Sequence, residues 1–269
     1  MPYGDPAITH QRKNTYDGGE LNFGALANSL TLGYLPQDGL THTGRTVVAG
    51  LSAPCYPFGV VDPIAEIGAR LHAREIGVHV DAALGGLFLP FLDGAPSFGF
   101  DVAGVTSVGV DVHKYGYGDK GAAVVVFGTP ELRRHAYHVS LDWPGGAYAS
   151  PTALGTRSVA AVASAFTALA ALGRDGYREL VAHVMRTTQT LQRRLQDLGP
   201  YDIVGRPCMS VFAVTSDEIS MFAIAEGLEA RGWHIDAQPS PPAIHFIVSP
   251  RHAFVIDEFV EDFAAATDD

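Results

Sequence analysis

From Thr46 onward, short apolar runs alternate with amphipathic stretches, and this alternation predicts the elements of the chain. Thr46 to Gly50, Val78 to Asp81, Thr106 to Val110 and Ala122 to Phe127 are short, apolar and bounded by Gly, Asp or Pro, the pattern of buried strands. Ile64, Ile67, Leu71 and Ile76 recur at helical spacing up to Gly77, with Asp62 as the expected N-cap and Pro63 as the first helical residue. Strands interleaved with helices in this way predict an α/β sheet covered on both faces.

The second half has a different texture. Thr156 to Leu172 reads as a small-residue helix. Asp175 to Leu198 reads as a long amphipathic one, with Tyr177, Leu180, Val184, Thr188, Leu191 and Leu195 along one side. Strands are expected over Tyr201 to Val204, Met209 to Val214, Trp233 to Ala237 and Ile244 to Val248. Helices are expected from Glu218 to Arg231 and from about Ala253. That β-β-α-β-β-α order suits a small α+β domain over 175–269, preceded by a larger unit over 46–174. Residues 1–45 are rich in Gly, Pro, Asn and Thr, lack periodicity and read as an atypical arm.

Composition narrows the function. The 269 residues are 47% hydrophobic, enough for a substantial core. The net charge of −11, from 18 basic and 29 acidic residues, argues against nucleic-acid binding. Two cysteines, Cys55 and Cys208, make neither a disulfide framework nor a zinc-site spacing, so a reducing, cytoplasmic setting and no metal are expected. No signal peptide is expected before Arg45. The most apolar stretch, Val159 to Leu172, has 14 residues where a bilayer span needs about 20, and is expected to be a buried helix.

The chemistry concentrates between Val78 and Gly121. Asp81 ends one predicted strand, and Lys114 follows another 33 positions later. Ligands of open α/β sheets bind beyond the carboxyl ends of the strands, so an acid and a lysine there can converge on one ligand. Pyridoxal phosphate requires both: a lysine for its aldehyde and a carboxylate for its pyridine nitrogen. A lysine that attacks an aldehyde needs desolvation or a neighbouring cation, for which His113 and Lys120 are the nearby candidates, and Ala83 is small enough to lie under a ring. Each feature by itself has a plainer reading: His-Lys as a surface pair, Asp81 as a helix cap, Gly85-Gly86 as a turn. The ordered set, Asp-x-Ala and then His-Lys, separates the two readings.

These residues resemble the pyridoxal-phosphate-dependent sphingosine-1-phosphate lyases, within the group II decarboxylase branch of fold-type I enzymes. The resemblance also includes the run from Ser52 to Pro63, the run from Leu141 to Thr152, Gly155-Thr156-Arg157, Pro207 to Val211, and Arg231-Gly232-Trp233. It covers Thr46 to about Asp257, roughly four-fifths of the chain. It implies a mainly parallel large-domain sheet with a small C-terminal α+β domain. It also implies a homodimer with shared active sites. By resemblance, Lys114 carries the cofactor, Asp81 pairs with the pyridine nitrogen, Ala83 packs on the ring and His113 reaches the phosphate. Lys120 is a second functional lysine, and Gly155 and Thr156 reach the phosphate of the partner's cofactor. Thr156 stands where the family has serine, and keeps the hydroxyl. The implied reaction is retro-aldol cleavage of a phosphorylated sphingoid base to a long-chain aldehyde and phosphoethanolamine. Lys120 and a tyrosine, Tyr148 or Tyr115, are the candidate bases.

The alternatives are an amino-acid decarboxylase using the same Lys114 and Asp81, or an inactive remnant that dimerises through Thr156 to Leu172. Before Thr46 the family's phosphate-cradling Gly-Thr turn and ring-stacking histidine are not matched. A truncated member, with an exposed sheet edge, is therefore expected.

Overall fold

A computed structural model describes residues 14–16, 19–21, 48–151 and 158–268. Strands β1 (Asn14–Tyr16) and β2 (Gly19–Leu21) form a short antiparallel hairpin. The first large sheet has the order β3 (Val48–Ser52), β4 (Gly77–Asp81), β5 (Val105–Asp111), β6 (Ala123–Phe127). The first two pairings are parallel, and β6 is antiparallel to β5. Ser52, Asp81 and Gly109 are in register, so the carboxyl ends of β3 and β4 lie level, with β5 extending two residues beyond.

Helix α1 (Ile64–His72) links β3 to β4 and buries Ile64, Ile67, Gly68 and Leu71 under the sheet. A Cβ at Gly68 would stand 2.5 Å from the carbonyl oxygen of Ala103, so that approach requires glycine. The expected cap is not formed. Pro63 occupies the N-cap position without a side-chain bond, and the Asp62 carboxylate turns back to accept the Ser52 N–H at 2.6 Å. The backbone at the end of β3 competes for the same carboxylate and wins it.

After β6 come the short helix α2 (Pro130–Arg134), capped by Thr129, and a hairpin of β7 (His138–Ser140) and β8 (Tyr148–Ser150). Helix α3 (Ala160–Leu198) is broken at Gly173, whose φ of 57° lies in the left-handed region. The second large sheet is fully antiparallel, in the order β11 (Asp236–Pro239), β12 (Pro242–Ile247), β10 (Val211–Thr215), β9 (Asp202–Ile203). Helices α4 (Met221–Ala230) and α5 (Ile256–Asp268) complete it. Trp233, expected in a strand, precedes β11. Its indole N–H donates to Asp262 at 2.7 Å and its ring meets Phe259 edge-on at 5.0 Å, contacts that hold it to α5. One hydrophobic cluster runs from Leu51, Val80 and Val108 through Tyr115 to Val211, Phe212 and Phe263, so the two sheets share a core.

Two burial expectations are corrected. The first half of α3 is not a buried helix. Ala165 packs on Val112 and Ala122, but Val159, Val162 and Phe166 are 76%, 56% and 71% exposed. Among the described residues the sheet is not covered on both faces at its β6 edge either, where Val124, Val125 and Val126 are open. A helix apolar on all sides needs neighbours on all sides, and the described residues supply one. No helix among the described residues is long and apolar enough to cross a membrane.

Candidate active site

Parallel pairing of β4 with β5 delivers the candidate residues to one end of the sheet. Alternation along β4 buries Val78 and Val80 on one face and turns His79 and Asp81 to the other. The backbone around Asp81 is held on both sides: Ala53 N–H donates to the Asp81 carbonyl at 2.8 Å, and Ala82 N–H to that of Gly109 at 2.8 Å. The Asp81 carboxylate is exposed and accepts the Ala83 N–H through Oδ1 at 3.0 Å, a local turn that aims it past the strand end. Gly109, its register partner, adds no side chain beside it. Gly85 and Gly86 are more than a turn. A Cβ on Gly85 would lie 2.2 Å from the carbonyl oxygen of Ala53, and one on Gly86 would lie 2.5 Å from Val110. The glycine pair therefore lets the chain pass tightly between the β3 loop and β5.

Lys114 lies in the turn that leaves β5. Its N–H donates to the Asp111 carbonyl at 3.2 Å, and its Nζ lies 3.1 Å from Asp111 Oδ2. The same carboxylate oxygen is 3.6 Å from His113 Nε2, while His113 Nδ1 lies 2.9 Å from the Ala122 carbonyl oxygen. Asp111 thus stands between the two side chains of the His-Lys pair. Its signal in the sequence is an acid three positions before the lysine, and it carried no role in the sequence reading.

Tyr115 is not a base. It is 5% exposed, its hydroxyl donates to the Val248 carbonyl at 3.0 Å and accepts from the Ser210 hydroxyl at 2.7 Å, and burial pushes its phenol far above the ordinary range. Tyr177 of α3 donates to the Gly116 carbonyl at 2.7 Å, which ties down the same turn. Tyr117 stacks near Tyr177, and burial pushes its phenol up to about 12. Sequence reasoning placed Tyr177 on a core face and missed this contact with the lysine turn.

The remaining expected residues are spread more widely. Lys120 is exposed in the β5–β6 turn, which the Asp119 N–H fastens to Ser164 of α3 at 3.0 Å. Tyr148 is in β8, its ring 6.2 Å from that of Trp143 and 6.4 Å from that of His138. Gly155 and Thr156 lie outside the described residues. Among the described residues no group of three or more His, Cys, Asp or Glu side chains could hold a metal ion.

The donor set at the strand ends fits pyridoxal phosphate. A carboxylate at the carboxyl end of one strand and an amine just beyond the adjacent parallel one stand on the same edge, and the position beside the carboxylate is glycine.

Residues 35–214 match the pyridoxal-dependent decarboxylase conserved domain. The chain is 40% identical over 221 residues to a sphingosine-1-phosphate lyase of Dictyostelium discoideum, covering 81% of this chain and 42% of the relative. It is 37% identical over 229 residues to a sphingosine-1-phosphate lyase of Oryza sativa, with 84% and 42% covered. Among solved structures, it resembles a sphingosine-1-phosphate lyase of Burkholderia pseudomallei with a TM-score of 0.80 and 33% identity, over 86% of this chain and 53% of that one. The chain therefore spans 42% of the length of these two curated relatives, and its architecture is that of fold-type I pyridoxal-phosphate enzymes. With more than half of its length matched by the conserved domain, the chain belongs to the pyridoxal-dependent decarboxylase family.

Proposed function

We propose that this chain carries the cofactor-binding half of a pyridoxal-phosphate-dependent lyase. Its reaction is cleavage of a phosphorylated sphingoid base to a long-chain aldehyde and phosphoethanolamine. The observation that carries this reading is that Asp81 and the Lys114–Asp111 pair lie at the carboxyl ends of adjacent parallel strands. The matched relatives are named sphingosine-1-phosphate lyases, which favours this substrate over an amino acid that loses its carboxylate.

The roles follow from the chemistry of each group. Lys114 supplies the amine that attaches the cofactor, with Asp111 beside it as counter-ion. Asp81 offers its carboxylate to the pyridine nitrogen, while its bond from Ala83 fixes the direction. Ala83 offers a small surface for the ring. His113, held at the Ala122 carbonyl, reaches toward the cofactor phosphate. When bound, the cofactor supplies an electron sink for breaking the bond between Cα and Cβ. Lys120 and Tyr148 are the candidates for taking the proton from the substrate hydroxyl. Gly155 and Thr156 complete a phosphate site across a homodimer in the cytoplasm.

The test is titration of the purified chain with pyridoxal phosphate, followed by borohydride and peptide mapping. The expected result is a visible absorption band and a reduced adduct on Lys114, both absent in Lys114→Ala. Identical spectra for the two proteins would overturn the reading. Mass-spectrometric product analysis with a phosphorylated sphingoid base then separates aldehyde release from loss of carbon dioxide.

A further inference from the structure

The turn that carries Lys114 is fastened to the C-terminal sheet by a buried chain of hydroxyls. Ser210 immediately precedes β10, and Val248 immediately follows β12. The Val248 N–H donates to the Ser210 carbonyl at 2.9 Å, so the two strand ends are already joined. The Tyr115 hydroxyl inserts between them. It accepts from the Ser210 hydroxyl and donates to the Val248 carbonyl. Ser210 is fully buried, and Val248 and Tyr115 are nearly so. The Tyr115 ring packs edge-on against Phe88 at 4.9 Å, which leaves the phenol one direction in which to point.

Lys114 and Tyr115 are neighbours on the turn. The turn is closed locally by Gly118 N–H to the Val112 carbonyl and Tyr117 N–H to the Lys114 carbonyl. A closed turn of this size moves as a unit. An anchor at Tyr115 therefore sets where the Lys114 amine stands relative to Asp81, which is itself fixed in the first sheet. Burial strengthens each bond of the chain and makes any broken one costly.

We infer that Tyr115 is a positioning residue. The Ser210–Tyr115–Val248 chain holds the Lys114 turn against the C-terminal sheet, so the placement of that sheet sets the reach of the lysine. This rests on the reading of Lys114 as the cofactor lysine. The roles differ in kind: Lys114 and Asp81 act on the cofactor, whereas Tyr115 and Ser210 act on Lys114.

The experiment compares Tyr115→Phe, Ser210→Ala and Tyr201→Phe with the parent chain. Tyr201→Phe is the structural control, because its hydroxyl bonds Thr267 at 2.7 Å elsewhere in the C-terminal core. Three quantities are read: thermal midpoint, intensity of the lysine-bound visible band at fixed pyridoxal phosphate, and hydrogen exchange of the amides over 112–118. All three variants are expected to lower the midpoint. Tyr115→Phe and Ser210→Ala are expected to weaken retention of pyridoxal phosphate roughly tenfold, the order of one lost buried hydrogen bond, and to speed exchange over 112–118. Tyr201→Phe should change neither. Ser210→Ala leaves the Tyr115 ring untouched, so it keeps the test valid if Tyr115→Phe does not fold. Parent-like band and exchange in Ser210→Ala, or in a folded Tyr115→Phe, overturn the inference while leaving the proposed function standing. If the parent chain forms no adduct on Lys114, the functional reading falls and the inference falls with it.

Discussion

The Nζ of Lys114 lies 3.1 Å from Oδ2 of Asp111, three residues earlier in the same turn. The lysine side chain is 35% exposed and that of the aspartate 23%, so water screens the pair and its contribution to stability is small, about 0–1 kcal/mol. The pair bears on reactivity through geometry, because the Lys114 amine has to leave the Asp111 carboxylate before it can reach an aldehyde. Asp111→Asn is expected to leave the thermal midpoint nearly unchanged and to raise the initial rate of Lys114 modification by pyridoxal phosphate several-fold. Timed borohydride quenching checks it, and an unaltered rate removes Asp111 from the mechanism.

Asp81→Asn keeps an oxygen to accept the Ala83 N–H, so the turn should survive. What it loses is the negative charge. A hydrogen bond involving a charged group contributes about 1.5–3 kcal/mol, so pyridoxal phosphate should bind about 10- to 100-fold more weakly. Equilibrium titration followed by absorbance measures this. Equal affinity in the variant would place the pyridine nitrogen elsewhere.

Asp62 makes folding depend on pH. Burial pushes its carboxyl up from 3.8 to about 7, against the lowering effect of the Ser52 N–H. Its Oδ1 is buried without a hydrogen-bond partner. The folded state therefore favours the neutral acid. The stabilisation is fully present below the unfolded value near pH 4 and is lost as pH rises through about 7, a change on the order of 4 kcal/mol. Asp62→Asn keeps an acceptor for Ser52 and removes the titration. Thermal midpoints between pH 4 and pH 8 should fall for the parent and stay much flatter for the variant. Equal slopes would show that Asp62 ionises normally.

The open face of α3 predicts association. Val159, Val162 and Phe166 present contiguous helical positions to solvent, and the exposed valines of β6 add to the apolar surface of the chain. Phe166→Asp is expected to reduce self-association in sedimentation velocity while shifting stability by only about 0.5 kcal/mol, as for an exposed position. A parent chain that is already monomeric at high concentration would contradict this, and with it the proposed homodimer.

Much of the candidate site was legible in the sequence because its signals are local. Asp81 and Lys114 each follow a short β-branched run, and strand ends are where an α/β sheet presents its chemistry. The break between two helices near Asp175 appears at Gly173, where the left-handed backbone demands what glycine allows. Asp62 was misread for an equally local reason. Asp-Pro before an apolar helix looks like a cap, but the competing Ser52 N–H belongs to a strand end ten residues earlier, in a pairing that the helix signal does not encode.

The alternation of strands and helices, and the lysine and acid at the strand ends, were legible from the residues alone, whereas Gly85-Gly86 read there only as a turn. These depend on backbone preference and side-chain period, which are properties of a few neighbouring residues. That Tyr115 is an anchor rather than a base was not legible there, because its partners Ser210 and Val248 are 95 and 133 positions away. Nor was the open face of the apolar run from Val159 to Leu172, which depends on what packs against it. Burial and long-range hydrogen bonding are properties of what surrounds a residue, and two residues of the same type and local pattern differ in role when their surroundings differ.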